Sequence, residues 1–191
     1  MKNKETDKNN ITRCGEFGFK PKKEKNMARK ENMADVQEDL GVFSINETSV
    51  GIGGNNRKRT DVQLIQFFLM QFYFEHEEMF DGRVPKTKQG SPIIKIDGIC
   101  GRQTEMGIWH HQQYITRSGF PIRVDGLVSV ARAVVSPFGG EVYTIHSLNN
   151  WFRLNANGKE FHGKLEDHPN IIQFAPELRS ELAAAQVGDK F

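Results

Sequence analysis

Only two cysteines occur in 191 residues, Cys14 and Cys100, and they lie far apart in unlike surroundings. That spacing excludes a disulfide framework and a thiol-rich zinc or redox motif, and points to synthesis in a reducing cytoplasm. Long apolar runs are also missing. No stretch approaches the roughly 20 apolar residues of a membrane-spanning helix, so membrane insertion is not expected. The opening residues, MKNKETDKNNITRCGEFGFKPKKEKNMARKEN, carry cationic groups without an apolar core, and so do not read as a Sec signal peptide. Action in a periplasm or cell wall would then require specialised export, lysis or a carrier partner. Charge of one sign is scarce as well: 26 Lys and Arg face 24 Asp and Glu, for a formal net charge of +2. Nucleic acid is not an expected partner, because phosphate binding needs a concentrated basic face and no basic stripe interleaved with aromatics is present.

The chain does contain enough apolar residues, 37%, for one core of domain size. Residues 1–44 are rich in Lys, Glu and Asn and have little apolar periodicity before Val36, Leu40, Val42 and Phe43, which predicts a disordered basic and polar arm. From Thr60 the pattern is helical: Val62, Ile65, Phe68, Leu69 and Phe72 recur at intervals of three and four, and Thr60 with Gln63 matches a capping box. The stretch 75–92 reads as a long loop ending in an extended run at Ile93–Ile96. A second helix is expected from about Arg102 to Ile115, burying Thr104, Ile108 and Ile115. A third, short one is expected within LVSVARAVV after the turn at Asp125 and Gly126. Two more follow, one carrying Val142, Ile145, Leu148 and Phe152, the other kinked or restarted at Pro176.

Several chemistries fail on spacing. The glycines of GIGG at 51–54 lack both the GxGxxG pattern and a closing Lys-Ser/Thr pair, so no nucleotide loop is expected. His110 and His111 are adjacent and diverge by about 100° on a helix, which prevents chelation from one face. His76, His146, His162 and His168 are scattered without ligand spacing, so neither a metal nor any other cofactor is expected. Cys100 with His110 or His111 as its base is a conceivable nucleophile, and Glu75, Glu77, Glu78 and Asp81 are a conceivable source of acid and base. The plainer readings are an apolar filler and a solvated acidic face, and no catalytic residue is assigned.

One combination of residues carries further. Asp61, Val62, Gln66 and Leu69 are followed by Ile96, Asp97, Gly98, Gly101, Thr104, Glu105, Ile108 and Gln112, a hydrophobic-Asp-Gly-x-x-Gly-x-x-Thr turn between two helices. This pattern resembles the peptidoglycan-binding-like domains, small helical modules attached to many cell-wall hydrolases, over about Val50 to Ala133. Arg102, Gly107 and His111 stand where the family usually has Pro, another small residue and Phe. The resemblance implies a mainly α fold: a three-helix bundle at 45–135, with a helical C-terminal extension at 136–191 beside the N-terminal arm.

Within the turn, Asp97 is expected to accept backbone N–H groups, Gly98 and Gly101 to supply positive φ, and Thr104 to fasten the incoming helix. The recurrence of Ile96-Asp97-Gly98 as Val124-Asp125-Gly126 reads as repeated turn chemistry. Candidate peptidoglycan contacts implied by the resemblance are Arg102, Gln103 and Trp109. Arg102 would meet a stem-peptide carboxylate and Trp109 a sugar face, although Trp109 reads equally as core. The expected function is noncatalytic wall binding that targets the protein itself or an associated phage-like or secreted hydrolase. A wall hydrolase using His and acidic residues, and a protein-binding adaptor without glycan binding, are the alternatives.

Overall fold

The structure, a computed structural model, describes residues 29–31, 42–45, 48–76, 94–130, 143–149, 161 and 163–184. Among them the fold is mainly helical and is organised around α1, Arg59–Glu75, in which every residue from Thr60 to Tyr73 is buried. A helix enclosed on all sides must be apolar around its circumference, and Leu64, Phe67 and Met70 supply the faces that the periodic set beginning at Val62 leaves open. The remaining helices are α2 (Arg102–Arg117), α3 (Thr144–Asn149), α4 (Pro169–Phe174) and α5 (Pro176–Ala184). Helices α2, α3 and α5 pack directly on α1, and α4 packs on α5.

Enclosure keeps the polar residues of α1 from water, and Asp61, Gln66 and Gln71 find internal partners, while the Thr60 hydroxyl and the Gln63 side-chain oxygen are buried without one. Asp61 accepts a 2.7 Å hydrogen bond from Asn56 Nδ2, and Asn56 Oδ1 accepts the Lys58 N–H at 2.8 Å. These bonds replace the expected capping box. The helix starts at Arg59 with Lys58 as its N-cap and no side-chain cap, which puts Thr60 inside the first turn, where its hydroxyl cannot serve as a cap. Farther along, the Gln71 carboxamide meets His168 Nε2 at 3.2 Å, while His168 Nδ1 accepts the Asn170 N–H at 3.2 Å and caps α4. The buried imidazole lies edge-on to Phe67 and Phe161, each 4.8 Å away between ring centres. His168 thereby fixes the 3₁₀ turn Leu165–Asp167 and α4 against the central helix. Pro176, which has no N–H to continue α4, opens α5 as expected for a restart. Leu178 and Leu182 of α5 return to the same core as Ile145 and Leu148 of α3. Val142 and Phe152 lie outside the described residues.

The strands are short. Within the stretch expected to be an arm, β1 (Arg29–Glu31) pairs antiparallel with β2 (Val42–Ser44). Phe43 is buried, and Asn149 brackets its backbone by accepting its N–H and donating to its carbonyl, both at 2.8 Å. Strand β3 (Val50–Gly51) pairs antiparallel with β4 (Leu127–Val128), Val50 opposite Val128 and Gly51 opposite Leu127. The short helix expected within LVSVARAVV is therefore corrected at its start: the positive φ of Gly126, +73°, turns the chain so that Leu127 and Val128 run back along β3. Residues 131–135 and the acidic group Glu77, Glu78 and Asp81 lie outside the described residues. Upstream of α2, Ile94 and Ile96 are buried around exposed Lys95, the alternation of an extended segment.

Helices α1, α2 and α3 meet at a cluster of rings. His111 is fully buried, edge-on to Phe72 at 4.9 Å between ring centres and 3.5 Å from Ser147 Oγ. Tyr114 covers Phe72 at 5.4 Å and His76 at 4.6 Å. Burial, reinforced by the neighbouring His76, pushes the His111 pKa down to about 3. Burial also lowers the pKa values of His76 and His110. The folded protein thus keeps His111 neutral, whereas the unfolded chain takes up that proton below its ordinary value near 6.5. Unfolding is therefore proton-coupled, and stability falls as pH drops from about 6.5 toward 3, at about 1.4 kcal/mol per pH unit for His111 alone. Denaturant titrations at pH 7.5, 6 and 5 are expected to give steadily lower unfolding free energies. His111→Gln should flatten that decline, and an unchanged slope in the variant would contradict the assignment.

Candidate functional site

The Asp-Gly turn expected to frame the site is held by a side chain of α1. Gln66 Oε1 accepts the Gly98 N–H at 2.8 Å, and its Nε2 lies 2.9 Å from Asp97 Oδ1, 3.0 Å from the Ile99 carbonyl and 3.2 Å from Thr104 Oγ1. Asp97 Oδ1 also accepts the Ile99 N–H at 2.9 Å, closing an Asx turn. A carboxamide suits this position because it accepts and donates through one planar group, which neither a carboxylate nor an alkyl chain can do. Gly98 has φ +74°, and a β-carbon there would collide with Arg59, so glycine is required both by backbone conformation and by space. Gly101 departs from expectation: it is the N-cap of α2 with φ −102° and open space around it, so neither requirement applies.

The same device recurs at the other end of α2. Gln112 Oε1 accepts the N–H groups of Asp125 at 3.1 Å and Gly126 at 2.7 Å. Its Nε2 lies 3.2 Å from Asp125 Oδ1, 2.8 Å from the Leu127 carbonyl and 2.9 Å from Thr144 Oγ1. Asp125 Oδ1 accepts the Leu127 N–H at 2.9 Å, matching the bond at Asp97. Helical glutamine, Asp-Gly turn and threonine of the following helix thus form one unit twice, with Thr104 near the start of α2 and Thr144 opening α3. The sequence echo at Asp125-Gly126 is its visible part. The shared glutamine is hidden because Gln66 stands 31 positions before its aspartate and Gln112 only 13 before its own.

Strand β3 lies between the two turns. The Ile52 N–H donates to the Gly126 carbonyl at 3.0 Å, and a β-carbon on Gly51, whose φ is +124°, would collide with that carbonyl. On the opposite side the Gly51 backbone approaches Cys100. Burial raises the Cys100 thiol above its ordinary pKa, the Gly51 hydrogen bond lowers it and Glu105 raises it again, for a net increase that disfavours the nucleophilic thiolate. Neither proposed base accompanies it there. His110 Nδ1 is 3.1 Å from the hydroxyl of buried Tyr73, whose own pKa burial raises, and His111 sits within the ring cluster.

The candidate contacts separate into two groups on α2. Buried Thr104, Gly107, Ile108, His111, Gln112 and Ile115 define its inner face. Arg102 is exposed and Trp109 half-buried; seven residues apart, they fall on one outward stripe, with exposed Met106 between them. Gln103, also exposed, is rotated by about 100° from Arg102 and shares the opposite flank with His110. Trp109 has its ring centre 5.6 Å from that of His110. Toward the second turn, Thr116 Oγ1 donates to the Ile122 carbonyl at 3.1 Å, so Gln112 and Thr116 together hold the 122–127 segment on the Trp109 side of α2. Exposed Ile52, Ile99 and Val124 were not among the contacts the sequence suggested, because they lie outside the helices, where helical periodicity gives no signal.

Replacing either clamp with an alkyl chain leaves buried turn groups without partners, at about 1–3 kcal/mol for each unsatisfied group. Gln66→Leu and Gln112→Leu are each expected to lower the unfolding free energy by about 2–3 kcal/mol, against less than about 0.5 kcal/mol for Gln113→Ala on the outer side. Denaturant unfolding checks both, and losses at the level of the Gln113 control would contradict the clamp. Comparison with protein-family models, curated proteins and solved structures yields no match to this chain.

Proposed function

We propose that the chain is a noncatalytic module that binds bacterial peptidoglycan and brings itself, or an associated phage-like or secreted hydrolase, to the cell wall. In this reading α1 and α2 correspond to the first two helices of a peptidoglycan-binding-like bundle. The observation that carries the reading is the bonding of Gln66, Asp97, Gly98 and Thr104 into one unit, since these are motif positions on which the resemblance rests. That unit starts α2 so that Arg102 and Trp109 share its outward stripe, where a guanidinium and an indole are available to a wall fragment.

Wall binding and wall cleavage are separated in one experiment with purified sacculi. The full chain is expected to sediment with them and to release no soluble muropeptides. An Arg102→Ala, Trp109→Ala double variant is expected to sediment at least tenfold more weakly. Muropeptide release lost on His or Glu substitution would replace the reading with a hydrolase, and a chain that neither sediments nor cleaves would favour the adaptor. Equal sedimentation of the double variant and the parent would remove the α2 stripe as the binding surface.

A further inference from the structure

Residues 163–184 are bonded into a group of their own. The 3₁₀ turn, α4 and α5 pack on one another, and Arg179 of α5 reaches back to donate from Nε to the Glu166 carbonyl at 3.2 Å. His168 caps α4, and the Arg179 N–H donates to the Ala175 carbonyl across the break at Pro176. The main contact of this group with the rest of the described fold is α1. Phe67 lies edge-on to His168 and Gln71 meets its Nε2, which identifies the face of α1 that the group covers. Gln63 stands four positions before Phe67 and Thr60 seven, so both share that face.

This seam is poorly satisfied. The Thr60 hydroxyl, the Gln63 side-chain oxygen, one end of the Gln71 carboxamide and Asn170 Nδ2 of α4 are buried with no hydrogen-bond partner among the described residues. The clamps differ: Gln66 and Gln112 engage both ends of their carboxamides. Bare buried groups weaken the closed arrangement, and water satisfies each of them once the seam parts. At its rim the seam is ionic. Lys58 Nζ lies 3.0 Å from Glu181 Oε2, both partly exposed, and Arg59 Nη1 lies 3.4 Å from Glu177 Oε1 at the surface. Leu178 and Leu182 supply the apolar contacts by which α5 joins the core.

We propose that residues 163–184 are a strap that releases α1 as one unit while both Asp-Gly clamps stay closed. Release hydrates the bare groups of Thr60, Gln63, Gln71 and Asn170 and opens the face of α1 around Phe67. The clamped part does not depend on the strap, because Gln66 meets the first turn and Phe72 meets α2 from other faces of α1. The internal bonds of Arg179 and His168 make the strap move together instead of fraying residue by residue.

Native-state hydrogen exchange of the full chain, in urea below the unfolding transition, tests the strap. The Glu181 and Leu182 amides of α5 are expected to share one urea-dependent opening and to exchange at least a hundredfold faster than the Phe68 and Leu69 amides of α1. Thr60→Val and Gln63→Met remove bare groups at nearly constant volume, and each should slow α5 exchange at least threefold. Gln112→Leu weakens a clamp that stays closed in the released form. It should therefore speed exchange in α1 while leaving α5 within twofold of the parent. Exchange of α5 at the α1 rate would overturn the proposal, as would a Gln112→Leu variant that speeds both helices equally. Unchanged or faster α5 exchange in both seam variants would overturn it too.

Discussion

The described fold depends on buried carboxamides that carry backbone hydrogen bonds across element boundaries. Gln66 and Gln112 each join a helix, an Asp-Gly turn and the threonine of the next helix. A turn cannot satisfy its own N–H and carbonyl groups from within a core, and leaving them bare costs as much as several apolar contacts contribute. A glutamine reaching from a helix supplies donor and acceptor together, so the inner side of the turn is satisfied where it meets the core. The central helix is enclosed through the same chemistry: Asp61 is met by Asn56, Gln66 by the first turn and Gln71 by His168.

The clamps tie the two turns to α1 and α2, and the C-terminal helices share one apolar core with them. The turn backbones are held from inside. Cys100 approaches the Gly51 backbone, whereas His110 meets Tyr73 and His111 meets Phe72.

Much of this was legible in the sequence, for identifiable reasons. The period of Val62, Ile65, Phe68, Leu69 and Phe72 announces α1, and the glycine and aspartate at 97–98 announce the first turn, because both signals are local. Pro176 likewise marks the restart between α4 and α5. Local signals misled where a distant partner decided the outcome. Thr60 and Gln63 spell a capping box, but Asn56 and Asp61 organise the helix start. Leu127 and Val128 sit in a run with helical spacing, but pairing with β3 makes them a strand. Phe43 closes a charged stretch, but Asn149, 106 positions away, fixes its backbone. The candidate site divides in the same way. Arg102 and Trp109 could be placed on one stripe from helical spacing alone, whereas the approach of Ile52 to Gly126 and of Gly51 to Cys100 arises from tertiary contacts that no spacing rule encodes.

The central claim is that the two glutamine carboxamides lock the Asp-Gly turns into the core, and native-state hydrogen exchange reads it directly at the Gly98 and Gly126 amides. Both are accepted by a clamp oxygen. The account predicts that they exchange only through large-scale opening, with protection approaching that of the α1 core amides. Exchange at the rate of an exposed turn, while the α1 amides remain protected, would contradict it.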